Sequence, residues 1–176
     1  MRAKIITIFG SGSARENSRP FELAYEVGFL LAKAGFTIAN GGYGGVMLAS
    51  AKGAKAAGGQ TIGVTTDEFR DSRRNQFIDR EIRKPTWHKR LHKLVGYGDG
   101  FVVLDGGTGT LTELFVAWEM LNKEFHSKPI AVLGQHMQAG IRALTSNPEI
   151  HVPKELHFVS TPEEALQYLK EYLIRA

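Results

Sequence analysis

The residues best equipped for chemistry lie in one run, Asp105-Gly-Gly-Thr-Gly-Thr-Leu-Thr-Glu113. It follows an apolar strand-like segment, Gly100–Leu104, and opens an apolar-periodic segment, Leu111–Phe125, whose spacing predicts a helix. Backbone N–H groups at the positive end of a helix favour a bound anion, and glycines let that anion approach closely. Gly106, Gly107, Thr108, Gly109 and Thr110 therefore form a candidate phosphate cradle. Glu113 falls in the first turn of the expected helix, where the dipole keeps a carboxylate ionised. Such a carboxylate suits holding ribose hydroxyls or stabilising an oxocarbenium-like centre. Thr110-x-x-Glu113 also has the form of a helix capping box. Thr161-Pro-Glu-Glu164 repeats that form without glycines and reads as structural, so the glycines before Glu113 are what set it apart.

A second candidate is Arg90, in Trp87-His-Lys-Arg90. A guanidinium grips phosphate or carboxylate through two parallel hydrogen bonds, and it also makes ordinary surface ion pairs. Trp87 reads as packing more than base stacking. His88 and His92 stand four residues apart with no third ligand in evidence, so no metal site is expected. Gly10-Ser-Gly-Ser13 supplies further backbone donors, Gly10, Ser11 and Gly12. It does not complete the dinucleotide fingerprint, because Arg15 and other polar residues precede the next helix. Gly41, Gly42, Gly44 and Gly45 flank Tyr43; such pairs serve chain reversal, close packing or approach to a ligand.

These turns need a scaffold, and the chain alternates strands and helices almost throughout. Strands are predicted at Lys4–Phe9, Phe36–Ala39, Gln60–Val64, Gly100–Leu104, Pro129–Leu133 and Leu156–Val159. Helices are predicted at Phe21–Ala34, Val46–Ala57, Pro85–Val95, Leu111–Phe125 and Gln135–Leu144, with a last one opening at Thr161. A basic loop region separates the third strand from the third helix. This alternation predicts an α/β fold, a doubly wound, mostly parallel Rossmann-like sheet with helices on both faces. Residues 1–176 read as a single nucleotide-binding domain. Ligands of such sheets sit beyond the carboxyl ends of the strands, and all three glycine clusters fall there.

Composition narrows the classes. With no cysteine among 176 residues, disulfides and thiolate metal sites are excluded, and a reducing cytoplasm is the expected location. The apolar run at the amino terminus is broken by Gly10, too soon for a signal peptide, and no run reaches the roughly 20 apolar residues of a membrane span. The net charge is +4, concentrated between Arg70 and Lys93, where nine Lys or Arg face three acids. A solvated surface, an anion pocket and a nucleic-acid surface all fit that charge. Only Phe77 and Trp87 interleave it, which argues against single-strand binding by stacking.

Taken in order, Gly10-Ser-Gly-Ser13, Gly41-Gly-Tyr-Gly-Gly-Val-Met47, His88-x-Arg90 and Gly106-Gly-Thr-Gly-Thr-x-x-Glu113 resemble the motifs of the LOG ("lonely guy") family, long misannotated as lysine decarboxylases. The likeness covers roughly residues 4 to 134. It implies a Rossmann-like homodimer that binds nucleoside 5′-monophosphates and hydrolyses the N-glycosidic bond to free base and ribose 5-phosphate, with no cofactor. Arg90 and Glu113 would be the catalytic pair, Gly106 to Thr110 the phosphate cradle, and Arg19, in the loop after the first strand, a further nucleotide contact. Asp105 stands where the family has proline, placing an acid near the expected phosphate, and Leu91 stands where it has lysine. The related molybdenum-cofactor carrier proteins share the fold and turns without this hydrolysis, which leaves a carrier as the alternative. Thr86-Trp-His-Lys89 imitates a pyridoxal-phosphate lysine motif in a chain too small for that architecture.

Overall fold

The computed structural model describes residues 2–70 and 72–174. Met1, Asp71, Arg175 and Ala176, which the sequence reading counts in the amino-terminal run, the basic stretch and the domain, lie outside the described residues. The elements run β1 (Ile5–Phe9), α1 (Arg19–Lys33), β2 (Thr37–Asn40), α2 (Val46–Ala56), β3 (Thr61–Thr66), β4 (Arg80–Lys84), α3 (Trp87–Tyr97), β5 (Gly100–Val103), α4 (Thr108–Asn122), β6 (Ile130–Val132), α5 (Gln135–Leu144), β7 (Leu156–Phe158) and α6 (Pro162–Ile174). The seven strands form one sheet in the order β4-β3-β2-β1-β5-β6-β7, with every pairing parallel. Strand order reverses between β1 and β5, so a crevice opens beyond their carboxyl ends.

Alternation along the strands divides the core. Ile6, Ile8, Val102, Leu104 and Ala131 join α1, α2 and α6 on one face. Phe9, Phe101, Val103, Ile130 and Val132 join α3, α4 and α5 on the other. Phe9 and Phe101 stack with ring centroids 5.4 Å apart on this second face. Full burial of such side chains contributes about 1.5–3 kcal/mol each, which ties β1 to β5 beside the crevice. On the first face α1 and α2 approach backbone to backbone. A methyl at Gly28 would overlap the Ser50 carbonyl, and one at Gly53 would overlap the Tyr25 carbonyl.

The basic region after β3 holds an element the sequence reading left as loop. Arg80-Glu-Ile-Arg-Lys84 pairs with β3 as the edge strand β4. One apolar residue in five hides it from periodicity, and charge on an edge strand discourages pairing with another chain. The phosphate-turn helix also starts earlier than predicted, at Thr108. The Thr161 turn forms half of the capping box its sequence predicts: Glu164 N–H donates to Thr161 Oγ1 at 3.2 Å, while the Glu164 carboxylate accepts from Ser160 N–H, one residue before the cap, at 2.6 Å. Among the described residues, no helix is long and apolar enough to cross a membrane.

Candidate functional site

The crevice holds a cavity of about 450 Å³, whose lining includes Gly10, Ser11, Gly12, Gly41, Arg90, Gly107, Thr108, Gly109, Thr110 and Glu113. That volume lies within the usual range for small-molecule sites. One wall is the start of α4. Its N-cap is Gly107, which offers no side-chain cap, and the first helical bond runs from Leu111 N–H to Gly107 O at 3.1 Å. The N–H groups of Thr108, Gly109 and Thr110 therefore have no partner within the helix, at its positive end. Gly106 lies behind this wall. A side chain there would overlap Thr110 Oγ1, so Gly106 seats the buried Thr110 and does not line the cavity.

Arg90 enters from α3, whose first turn is capped by Thr86 Oγ1 accepting Lys89 N–H at 3.3 Å. Only 6% of Arg90 is exposed, so it is no surface ion-pairing residue. Its Nε donates to Val64 O at 2.8 Å and Nη2 to Gly41 O at 3.4 Å, while the Tyr43 and Phe69 rings flank the guanidinium at 5.5 and 5.6 Å. Nη1 remains, 3.8 Å from Glu113 Oε1. Burial lowers the pKa of Arg90, partly offset by Glu113 and Tyr43, but a guanidinium starts so high that it stays charged at neutral pH.

Glu113 departs from expectation. Because α4 begins at Thr108, Glu113 lies in the second turn, beyond the strongest reach of the dipole and outside any capping box. Its carboxylate accepts no hydrogen bond from the described residues. Burial raises its pKa to about 7, against the attraction of Arg90. At neutral pH the group is thus poised between acid and carboxylate, where a proton is readily taken or given.

The other glycines divide by role. Gly41 lines the cavity because a side chain there would overlap Arg90 Nη2 and press on Met47 Sδ at 2.6 Å. Gly42 and Gly45, with φ of +80° and +62°, turn the chain and stand behind the cavity wall. A side chain at Gly45 would overlap the Ser11 carbonyl, which accepts Val46 N–H at 2.8 Å. Ser11 N–H is not free for an anion, since it donates to Asp105 O at 3.0 Å. Arg19 is the first residue of α1 and not a loop residue; it is exposed and not among the cavity-lining residues.

Asp105 turns away from the phosphate turn. Its Oδ1 accepts Met137 N–H at 3.0 Å, in the first turn of α5, and Gly134 leaves the room it needs. The acid placed near the expected phosphate is thus spent on a neighbouring helix N-terminus. His88 and His92 are exposed on α3, and the described residues contain no metal-binding group of three. Sequence reasoning missed the aromatic wall. Tyr43, Met47 and Phe69 line the cavity, as does Trp87, there read as packing. Tyr43 had a signal in its flanking glycines; Phe69, in a polar basic stretch, had none.

Comparison with known proteins adds three likenesses. The chain is 31% identical over 168 residues to an uncharacterised protein of Archaeoglobus fulgidus, covering 96% of this chain and 95% of that one. It is 37% identical over 118 residues to a cytokinin riboside 5′-monophosphate phosphoribohydrolase of Mycobacterium tuberculosis, spanning 64% of this chain and only 61% of the enzyme. Its fold matches the molybdenum cofactor binding protein of Rippkaea orientalis with a TM-score of 0.80 and 27% identity, over 98% of this chain and 99% of that one. Residues 3–166 match the SLOG cluster4 family (LDcluster4), and the chain belongs to that family.

Proposed function

We infer that the cavity binds a nucleoside 5′-monophosphate and that Arg90 and Glu113 hydrolyse its N-glycosidic bond. The observation that carries this reading is the meeting of two residues with spare bonding capacity, Arg90 Nη1 and the Glu113 carboxylate, beside the uncapped start of α4. The 5′-phosphate takes the N–H groups of Thr108, Gly109 and Thr110, and the dipole of α4 favours its charge. The C1′–N bond breaks with its electron pair passing to the base, which takes a proton from solvent water. A water attacks C1′, and its proton passes to Glu113, whose raised pKa suits that transfer near neutrality. Arg90 binds ribose hydroxyls beside the forming cation and keeps Glu113 ionised often enough to act. The products are free base and ribose 5-phosphate.

Incubation with AMP tests this by chromatographic detection of adenine and ribose 5-phosphate. Release abolished by Glu113→Gln and by Arg90→Ala supports the hydrolase; no release from any nucleoside monophosphate refutes it. The resemblance also implies a homodimer, which light scattering measures. A second reading, a carrier, rests on the fold match, since the molybdenum cofactor binding protein from Rippkaea orientalis is covered over 99% of its length while the mycobacterial enzyme is covered in part. On that reading the same turn holds a phosphorylated pterin cofactor without turnover.

A further inference from the structure

The cavity has walls of two chemical kinds. One is the uncapped start of α4; the other is aromatic, formed by Tyr43, Phe69 and Trp87. Tyr43 is already committed. Its hydroxyl accepts Thr66 N–H at 2.8 Å and donates to Thr66 O at 3.3 Å, and its ring lies against Arg90. Phe69 shares the contact with Arg90, at 5.6 Å, but has no hydroxyl to fix its ring by hydrogen bonds. Phe69 keeps 38% of its surface exposed, whereas Phe9 and Phe101 of the core are at 2% and 0%. Trp87 is half-buried and lines the same cavity.

Both are held in place from outside the cavity. Glu68, adjacent to Phe69, accepts the backbone N–H of Trp87 at 2.6 Å, at the first residue of α3. Glu68 N–H in turn donates to Thr66 Oγ1 at 3.3 Å. The β3–β4 connection is pinned on either side: Asp67 N–H donates to Lys84 O at 3.0 Å, and Asn75 donates from its backbone to Gly42 O at 2.9 Å and from its side chain to Tyr43 O at 2.8 Å. Two large apolar rings, partly exposed yet tied to each other's segments, border a site whose other wall attracts an anion.

We propose that Phe69 and Trp87 are stacking surfaces for a planar aromatic heterocycle carried by the phosphate-bearing ligand, so that this chain selects purine or pterin phosphates over bare sugar phosphates. The proposal rests on the reading above only in seating the phosphate at α4. Stacking on one aromatic side chain is worth on the order of tenfold or more in affinity per ring.

The test is a fluorescence titration of the full chain with AMP, with a pterin monophosphate and with ribose 5-phosphate, adenine release being measured separately on the same samples. Trp118 is 4% exposed, so quenching by a stacked ligand reports Trp87, and Trp87→Phe must abolish it. The expected result is that AMP or the pterin phosphate binds at least about tenfold more tightly than ribose 5-phosphate. Phe69→Ala should remove that margin and leave ribose 5-phosphate affinity within about twofold, while Phe69→Trp should restore it. Preference for AMP identifies a nucleotide base, and preference for the pterin identifies a carrier's cargo. Equal affinity for all three ligands, or an equal loss for all three in Phe69→Ala, overturns the proposal. Failure of hydrolysis alone leaves the affinities standing and refutes only the hydrolase.

Discussion

Glu113→Gln should make the protein more stable at pH 8 while removing its proposed activity. Burial raises the folded-state pKa of Glu113 from the usual 4.5 to about 7. A carboxyl with a raised folded pKa binds more protons folded than unfolded between those two values, so its contribution to stability falls as pH rises through that window. Above pH 7 the full penalty is present, about 3 kcal/mol for a shift of this size. Glutamine mimics the protonated form and never ionises, so it escapes the penalty. Because other titrating groups are common to both proteins, the difference between the two unfolding curves isolates Glu113. Urea denaturation should show Glu113→Gln ahead by less than about 1 kcal/mol at pH 5 and by about 3 kcal/mol at pH 8. By heat, the gap at pH 8 corresponds to roughly 6–12 °C in Tm for a chain of this size. A variant less stable than the parent at every pH would refute the reasoning. It would mean that pairing with Arg90 outweighs burial and that Glu113 is ionised throughout.

Gly41→Ala should abolish turnover by displacing the Arg90 guanidinium, while far-ultraviolet circular dichroism retains the native helical signal. Normal turnover would show that Arg90 is not required where it lies. Asp105→Ala should cost about 1 kcal/mol by uncapping α5, with Asp105→Asn recovering most of it. Neither should change AMP affinity by more than about twofold, because Asp105 faces away from the turn; isothermal calorimetry checks this, and tighter binding by Asp105→Asn would place the acid back on the phosphate.

The fold was legible because its signals are local. Six β-branched or apolar strand segments, glycine clusters after three of them and amphipathic helices between them lead to a parallel sheet without any tertiary information. Where the local signal fails, the physics is tertiary. Arg80–Lys84 becomes a strand only because β3 leaves an edge to pair with. The helix after the phosphate turn was predicted from its first apolar residue, Leu111, but it begins at Thr108. That difference of three residues moved Glu113 out of the dipole's strongest region, and burial, invisible in sequence, then reversed the expected direction of its pKa. Gly106, Gly42 and Gly45, expected as ligand-binding residues, are not among the cavity-lining residues and shape the site from behind. Asp105, the residue most discordant with the family motif, found a partner 32 residues away in sequence.

The glycine contacts between α1 and α2 have a consequence for how such a molecule can change over evolutionary time. Gly28 and Gly53 weld those helices into one plate, and the turns leading into α2 are fixed with it. A side chain at either glycine would drive the two helices apart, so that seam offers little room for variation. The β3–β4 connection carries the exposed Phe69 and is anchored through Asp67 and Asn75. A substitution at Phe69 changes the rim of the cavity without entering that seam. A sterically fixed frame beside an exposed rim lets the lining of the crevice change while the sheet that carries it stays the same.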